Sequence, residues 1–174
     1  MPWIMKNSAG MVIDRRDEPY LDEALKAEFE RDVLSRYPTR QAATLPVLRA
    51  VQEQYGYLPY QAMEEIAAFL EQAPSQVHDT ASFYDEFRFR PVGRYVVGVC
   101  RSLSCELMGQ PDLLERLKRK LGIDVGQTTE DGKFTLITME CLGACDDAPA
   151  ALVNDVVHER LTAEDFEAVL DSLE

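Results

Sequence analysis

Positive charge is what this sequence has least of: 18 Lys and Arg stand against 31 Asp and Glu in 174 residues, a formal charge of −13. A surface of that sign repels phosphate backbones instead of releasing their counterions, which weighs against nucleic acid as a partner. Long apolar runs are also missing. Tyr95-Val96-Val97 and residues 148–153 fall far short of the ~18 residues of a membrane span, so no bilayer crossing is expected. Residues 1–13 carry one Lys, no continuous apolar stretch and no convincing cleavage site, and acids begin at Asp14. That start does not read as a targeting segment, and a cytoplasmic protein is expected. The glycines never fall into G-x-G-x-x-G, so the dinucleotide fingerprint is absent. Cysteine is scarce too. Four in a chain of this length are too few for a small secreted disulfide scaffold, which turns attention to an intracellular metal or redox role.

What is present is a globular composition, 46% hydrophobic and 28% charged, enough for one domain or two small ones. Residues 1–20 show no apolar period and read as a tail that orders only on a partner. Leu21, Leu25, Phe29, Val33 and Tyr37 then advance by fours, one stripe on a helix that Pro38 stops. Leu45, Leu48, Val51 and Tyr55 form a second stripe ending at Gly56; Met63, Ile66, Ala67 and Leu70 form a third after Pro59; Pro74 opens a fourth. Short connections favour a helical bundle domain over residues 21–90.

The pattern changes after Pro91-Val92-Gly93. Residues 94–100 are rich in Val and Tyr and read as a buried strand. Pro111 opens a helix with stripe Leu113, Leu114, Leu117 and Leu121, closed by Gly122, and residues 134–139 are a second strand. Two short strands flank an Asn154-Asp155 turn, and Thr162 caps a last helix with Phe166, Val169, Leu170 and Leu173 on one face. The order βαβ then ββα is that of a thioredoxin-like fold over residues 91–174. The fold class is therefore α+β, a helical bundle followed by a thioredoxin-like domain.

Cys100 closes the first strand and Cys105 precedes the next helix, giving C-x4-C. Cys141 follows the second strand and Cys145 lies past Gly143, giving C-x3-C. A βαβ crossover makes the strands parallel, so both pairs lie at the same sheet edge and the four sulfurs converge. Two sulfurs for each iron is what a 2Fe-2S cluster needs, with Arg101 and loop amides as candidate tuners of its potential. Structural zinc usually shows C-x2-C knuckles, and a thioredoxin redox pair needs C-x-x-C; neither occurs here. A Rieske centre needs two histidines, but His78 lies in the helical part and His158 after the hairpin. Spacing alone thus favours a cluster and leaves zinc and unligated buried thiols open.

Ala81-Ser82-Phe83-Tyr84, Pro91-Val92-Gly93-Arg94-Tyr95, Val99-Cys100 with Ser104-Cys105, the run from Gln127 to Phe134 and above all Glu140-Cys141-Leu142-Gly143-Ala144-Cys145-Asp146-Asp147-Ala148-Pro149 occur in order. From about Leu21 to the C-terminus the chain resembles the small thioredoxin-like iron-sulfur subunit of NADH:quinone oxidoreductase, respiratory complex I. The resemblance implies that Cys100, Cys105, Cys141 and Cys145 ligate a 2Fe-2S cluster of the N1a type within reach of a flavin. It implies a hetero-oligomer with the flavoprotein subunit that binds FMN and NADH and with the adjoining multi-cluster iron-sulfur subunit. The chain would then be an electron carrier with no NADH or FMN site of its own, held at the inner face of a bacterial membrane through other subunits. The equivalent module of an NAD-reducing hydrogenase or NAD-dependent formate dehydrogenase is a near alternative, and a zinc-stabilised adaptor is one of another class.

Other residues read more simply. Phe83, Tyr84, Phe87 and Phe89 are expected to be core rather than a partner surface, and Asp146 with Asp147 a solvated acidic pair. Glu64-Glu65 and Asp112 with Glu115 look like solvated helix faces, and His78 a packed or exposed helix residue without a relay partner.

Overall fold

A computed structural model describes residues 13 and 15–173, and the chain divides into two compact units, one ending at Pro91 and the other beginning at Val92. Most of the expected N-terminal tail, residues 1–12 and 14, lies outside the described residues. Its last part is held in place. The Arg16 amide donates to Gln61 Oε1 at 3.0 Å, and the Arg16 guanidinium lies 3.7 Å from the centre of the Tyr20 ring.

The first unit is helical: α1 (Glu23–Glu28), α2 (Thr44–Tyr55), α3 (Tyr60–Phe69) and α4 (Pro74–Phe83). The first expected helix is not one regular cylinder. After α1 it widens to a π turn over Phe29–Val33 and tightens to a 3-10 turn over Leu34–Arg36. A stripe repeated every fourth residue outruns the 3.6 residues of an α turn, and the wider turn takes up the drift, keeping Leu21 and Phe29 buried. In α2 the buried side is Val47, Leu48 and Val51, while Leu45 is exposed, a correction to the expected stripe. These residues share one core with Leu58, Met63, Ile66, Leu70 and Val77.

The second unit is a five-stranded mixed sheet in the order β2-β3-β1-β4-β5, with β1 (Tyr95–Cys100), β2 (Gln127–Thr128), β3 (Phe134–Met139), β4 (Ala151–Val153) and β5 (Val156–His158). β1 and β3 are parallel, paired from Tyr95 with Phe134 to Cys100 with Met139; the other pairings are antiparallel. α5 (Leu103–Leu107), α6 (Gln110–Leu121) and α7 (Ala163–Ser172) complete the unit. Leu113 and Leu117 of α6 and Phe166 and Leu170 of α7 form one core with Val97, Val99 and Leu136. Each such side chain contributes about 1.5–3 kcal/mol when fully buried.

Polar details fix the strand ends. Gly93 sits so close to β3 that a Cβ would meet the Phe134 backbone carbon at 2.8 Å, and its amide donates to the buried Thr135 hydroxyl at 2.6 Å. At the hairpin, Asn154 Oδ1 accepts from the Val96 amide at 2.8 Å, tying the expected turn to β1. Thr162 caps α7 by accepting from the Asp165 amide at 3.1 Å.

Candidate metal centre

β1 and β3 deliver their C-terminal ends side by side. The Arg101 amide donates to Met139 O at 2.9 Å and the Cys100 amide to Ala150 O at 3.1 Å, so Cys100 is fixed between both neighbouring segments. Cys105 lies inside α5, a short helix of its own and not a loop before the long one, and its side faces inward. Cys100 and Cys105 are each only 2% exposed and share a small core with Ala148 and Ala150, flanked by Leu142 and Ala144. Cys141 follows β3 by two residues and Cys145 opens a 3-10 turn, Cys145–Asp147, against which α5 packs. Both are exposed, and their sulfurs stand 3.2 Å apart. Gly143, at φ 83°, turns the chain between them and points its amide at Cys141 Sγ, 3.4 Å away.

The electrostatics differ from thiol to thiol. Burial opposes ionisation of Cys100, but the Ser102 and Leu142 amides, Cys105 and the Ser102 hydroxyl outweigh it and hold its pKa below the ordinary thiol value. Burial pushes Cys105 up against the help of the Ala150 amide, and the neighbouring Cys100 and Cys145 push it further. Cys145 is raised by its hydrogen-bonded neighbour Cys141, with the Ser104 hydroxyl pulling the other way. The pairs therefore lie within electrostatic reach of each other.

The four sulfurs lie as two pairs, Cys100 with Cys105 in the small buried core and Cys141 with Cys145 at the surface. Among the described residues no three His, Cys, Asp or Glu side chains gather closely enough to hold one metal ion. A mononuclear zinc site needs four donors around one point, whereas a 2Fe-2S cluster takes two sulfurs at each of two irons. The donor set fits the second. The histidines take no part: His78 stacks between Tyr60 and Phe89, and His158 packs on Phe166.

Around the thiols, Arg101 pairs with Glu140 through two hydrogen bonds, Nε to Oε1 at 2.9 Å and a second from Nη2. Arg160 holds Asp147 at 2.6 Å, so the expected acidic pair is half neutralised. The Ser102 and Ser104 hydroxyls were not anticipated; their position within three residues of a cysteine was the available signal. Phe83 is 79% exposed and Tyr84 partly so, against the expectation of core, while Phe87 and Phe89 pack on the first unit's core.

Residues 31–174 match the thioredoxin-like 2Fe-2S ferredoxin family. The chain belongs to that family. The ferredoxin is 43% identical over 138 residues to an NADH-quinone oxidoreductase subunit of Rhizobium meliloti (strain 1021), covering 79% of this chain and 82% of that one. It is 40% identical over 151 residues to NADH-quinone oxidoreductase subunit 2 of Thermus thermophilus, covering 85% and 83%. Among solved structures, an air-oxidised NAD+-reducing NiFe hydrogenase superposes with a TM-score of 0.63 at 30% identity, over 72% of this chain and 22% of the hydrogenase chain. These findings bear out the family resemblance, the α+β fold class and the 2Fe-2S cofactor read from the sequence, and make the ferredoxin an electron-transfer component.

Proposed function

We propose that this ferredoxin is the 2Fe-2S subunit of a bacterial NADH:quinone oxidoreductase, with Cys100 and Cys105 on one iron and Cys141 and Cys145 on the other. The observation that carries the reading is the placement of two thiol pairs at the C-terminal ends of the parallel strands β1 and β3. When bound, the cluster takes up and returns one electron at a time. The chain's own residues set the conditions for that. Burial of Cys100 and Cys105 keeps water from one side of the centre, while amides and hydroxyls aimed at sulfur favour the more negative state.

Hydride chemistry then belongs to a partner flavoprotein with FMN and NADH, beside which this centre, of the N1a type, serves as a one-electron store. The adjoining multi-cluster iron-sulfur subunit completes the neighbourhood. No helix among the described residues is long and apolar enough to cross a membrane, and attachment to the inner membrane face is assigned to other subunits. The relatives, named as NADH-quinone oxidoreductase subunits, support membership of a multi-subunit complex of that kind. A second reading, a module of an NAD-reducing hydrogenase, is favoured by the structural match alone.

Iron, zinc and acid-labile sulfide on anaerobically purified protein, with low-temperature EPR before and after dithionite, test the proposal. About two irons and two sulfides per chain are expected, EPR-silent when oxidised and with one unpaired spin when reduced. One zinc without sulfide would leave a structural adaptor and sink the claim. Copurifying FMN with quinone reductase activity separates complex I from a nickel-containing hydrogenase.

A further inference from the structure

Three of the most exposed large apolar side chains sit together on α5 and its C-cap: Leu103 at 71%, Leu107 at 76% and Met108 at 62%. Leu103 and Leu107 are four apart and share a helix face, while Cys105 between them turns inward. A helix that offers its sulfur to the interior thus offers leucines to the outside. α5 also packs against the Cys145–Asp147 turn, so the helix that carries this patch borders the exposed end of the thiol site.

The unpaired charge around the patch is acidic. Glu106 lies within it and Asp146 on the adjoining turn; both are exposed, and neither forms an ion pair among the described residues. The two cations nearby are engaged, Arg101 by Glu140 and Arg160 by Asp147. We infer that the outer face of α5, Leu103, Leu107 and Met108 within an acidic surround, is the docking surface for the electron-transfer partner, whose matching face is apolar at its centre and ringed by lysine or arginine. An interface of this anatomy has an apolar middle that excludes water and a charged rim that steers encounter. Charge also argues against a second copy as the occupant. A two-fold interface sets the same patch against itself, bringing Glu106 and Asp146 of both copies into one interface with no basic partner.

The inference rests on the electron-transfer reading, and its test keeps the two apart. The full chain is expressed with an affinity tag in its native host as wild type, L103Q/L107Q, E106K and a V156Q/V157Q control, an exposed apolar pair on the edge strand β5. Iron and sulfide per chain, FMN recovered per chain and amide hydrogen exchange over residues 103–108 are read on each. The expected result is protection of 103–108 in the wild-type complex, and at least about tenfold less FMN with L103Q/L107Q. A smaller loss is expected with E106K, none with the control, and iron should be unchanged throughout. Undiminished FMN with L103Q/L107Q, or no protection of 103–108, overturns the docking surface. Protection of that segment in a self-associated dimer overturns it as well, in favour of a second copy. Absence of iron and sulfide from every form overturns the electron-transfer reading instead, whatever the α5 variants do to partner recovery.

Discussion

Gly143 is the point at which the loop between Cys141 and Cys145 is most open to a quantitative test. Its φ of 83° lies in the left-handed region, and a Cβ built there meets nothing within 4 Å. Gly143→Ala therefore introduces no clash, and its cost is conformational, about 1–2 kcal/mol for an L-residue held in that region. Asn tolerates the same region through its short polar side chain, so Gly143→Asn costs less. For a domain of 60–100 residues, 1 kcal/mol moves the melting midpoint by about 4–8 °C. The second unit, from Val92 onward, is of that size. The alternative open to the variant is to relax the loop, which withdraws the amide at residue 143 from Cys141 Sγ and speeds cluster loss. Thermal melting of cluster-free protein under reducing conditions and the decay of visible absorbance in chelator read the two effects. The expected order of stability is wild type, then Asn, then Ala. An Ala variant that melts and decays like wild type, or an Asn variant worse than Ala, would refute the reasoning.

Other substitutions probe the frame around the site. Thr135→Val keeps the shape of the side chain but leaves the buried Gly93 amide without its acceptor, and should cost about 1–3 kcal/mol in denaturant titration, with Thr135→Ser close to wild type. Asp131 is held below the usual carboxylate pKa by the Thr129 hydroxyl and the Lys133 amide. Its contribution is therefore present above an unfolded pKa of about 3.9 and lost as pH falls through the lower folded value, so Asp131→Asn should flatten the stability curve only below about pH 4. A changed slope near pH 6 would contradict this. Arg101→Gln removes a largely exposed pair, worth at most about 1 kcal/mol, yet leaves Glu140 unneutralised beside Cys141. Potentiometric titration should show a lower reduction potential whose shift shrinks with added salt; an upward shift would count against it.

The second unit was more legible in the sequence than the first, for a physical reason. Its main strands are short apolar and β-branched runs, and the 134–139 strand and the Asn154-Asp155 turn fall where the pattern puts them. Neither β2 nor α5 was legible. Two residues at Gln127–Thr128 carry no alternation, and five at Leu103–Leu107 are too few for a helical period to emerge. In the first unit, the stripe from Leu21 to Tyr37 gave the helical segment but not its π turn, because a four-residue repeat fits either geometry until neighbours are known. At the site, the placement of both cysteine pairs at one sheet edge followed from topology, since a parallel crossover must bring both strand ends there. The donors at Ser102 and Ser104 did not, because hydroxyl direction depends on a turn the spacing does not define.

The pairing of β1 with β3 has a further consequence for how the protein is made. The two strands meet only after the chain has spanned α5 and α6, and a slip of one residue would move a sulfur about 3.3 Å along the sheet and turn it to the opposite face. With the proposed ligands, a mispaired nascent chain has nowhere to receive iron. Cofactor insertion then acts as proofreading: it accepts only molecules whose long-range β1–β3 pairing is complete, and by binding the native state alone it locks that pairing against reversal.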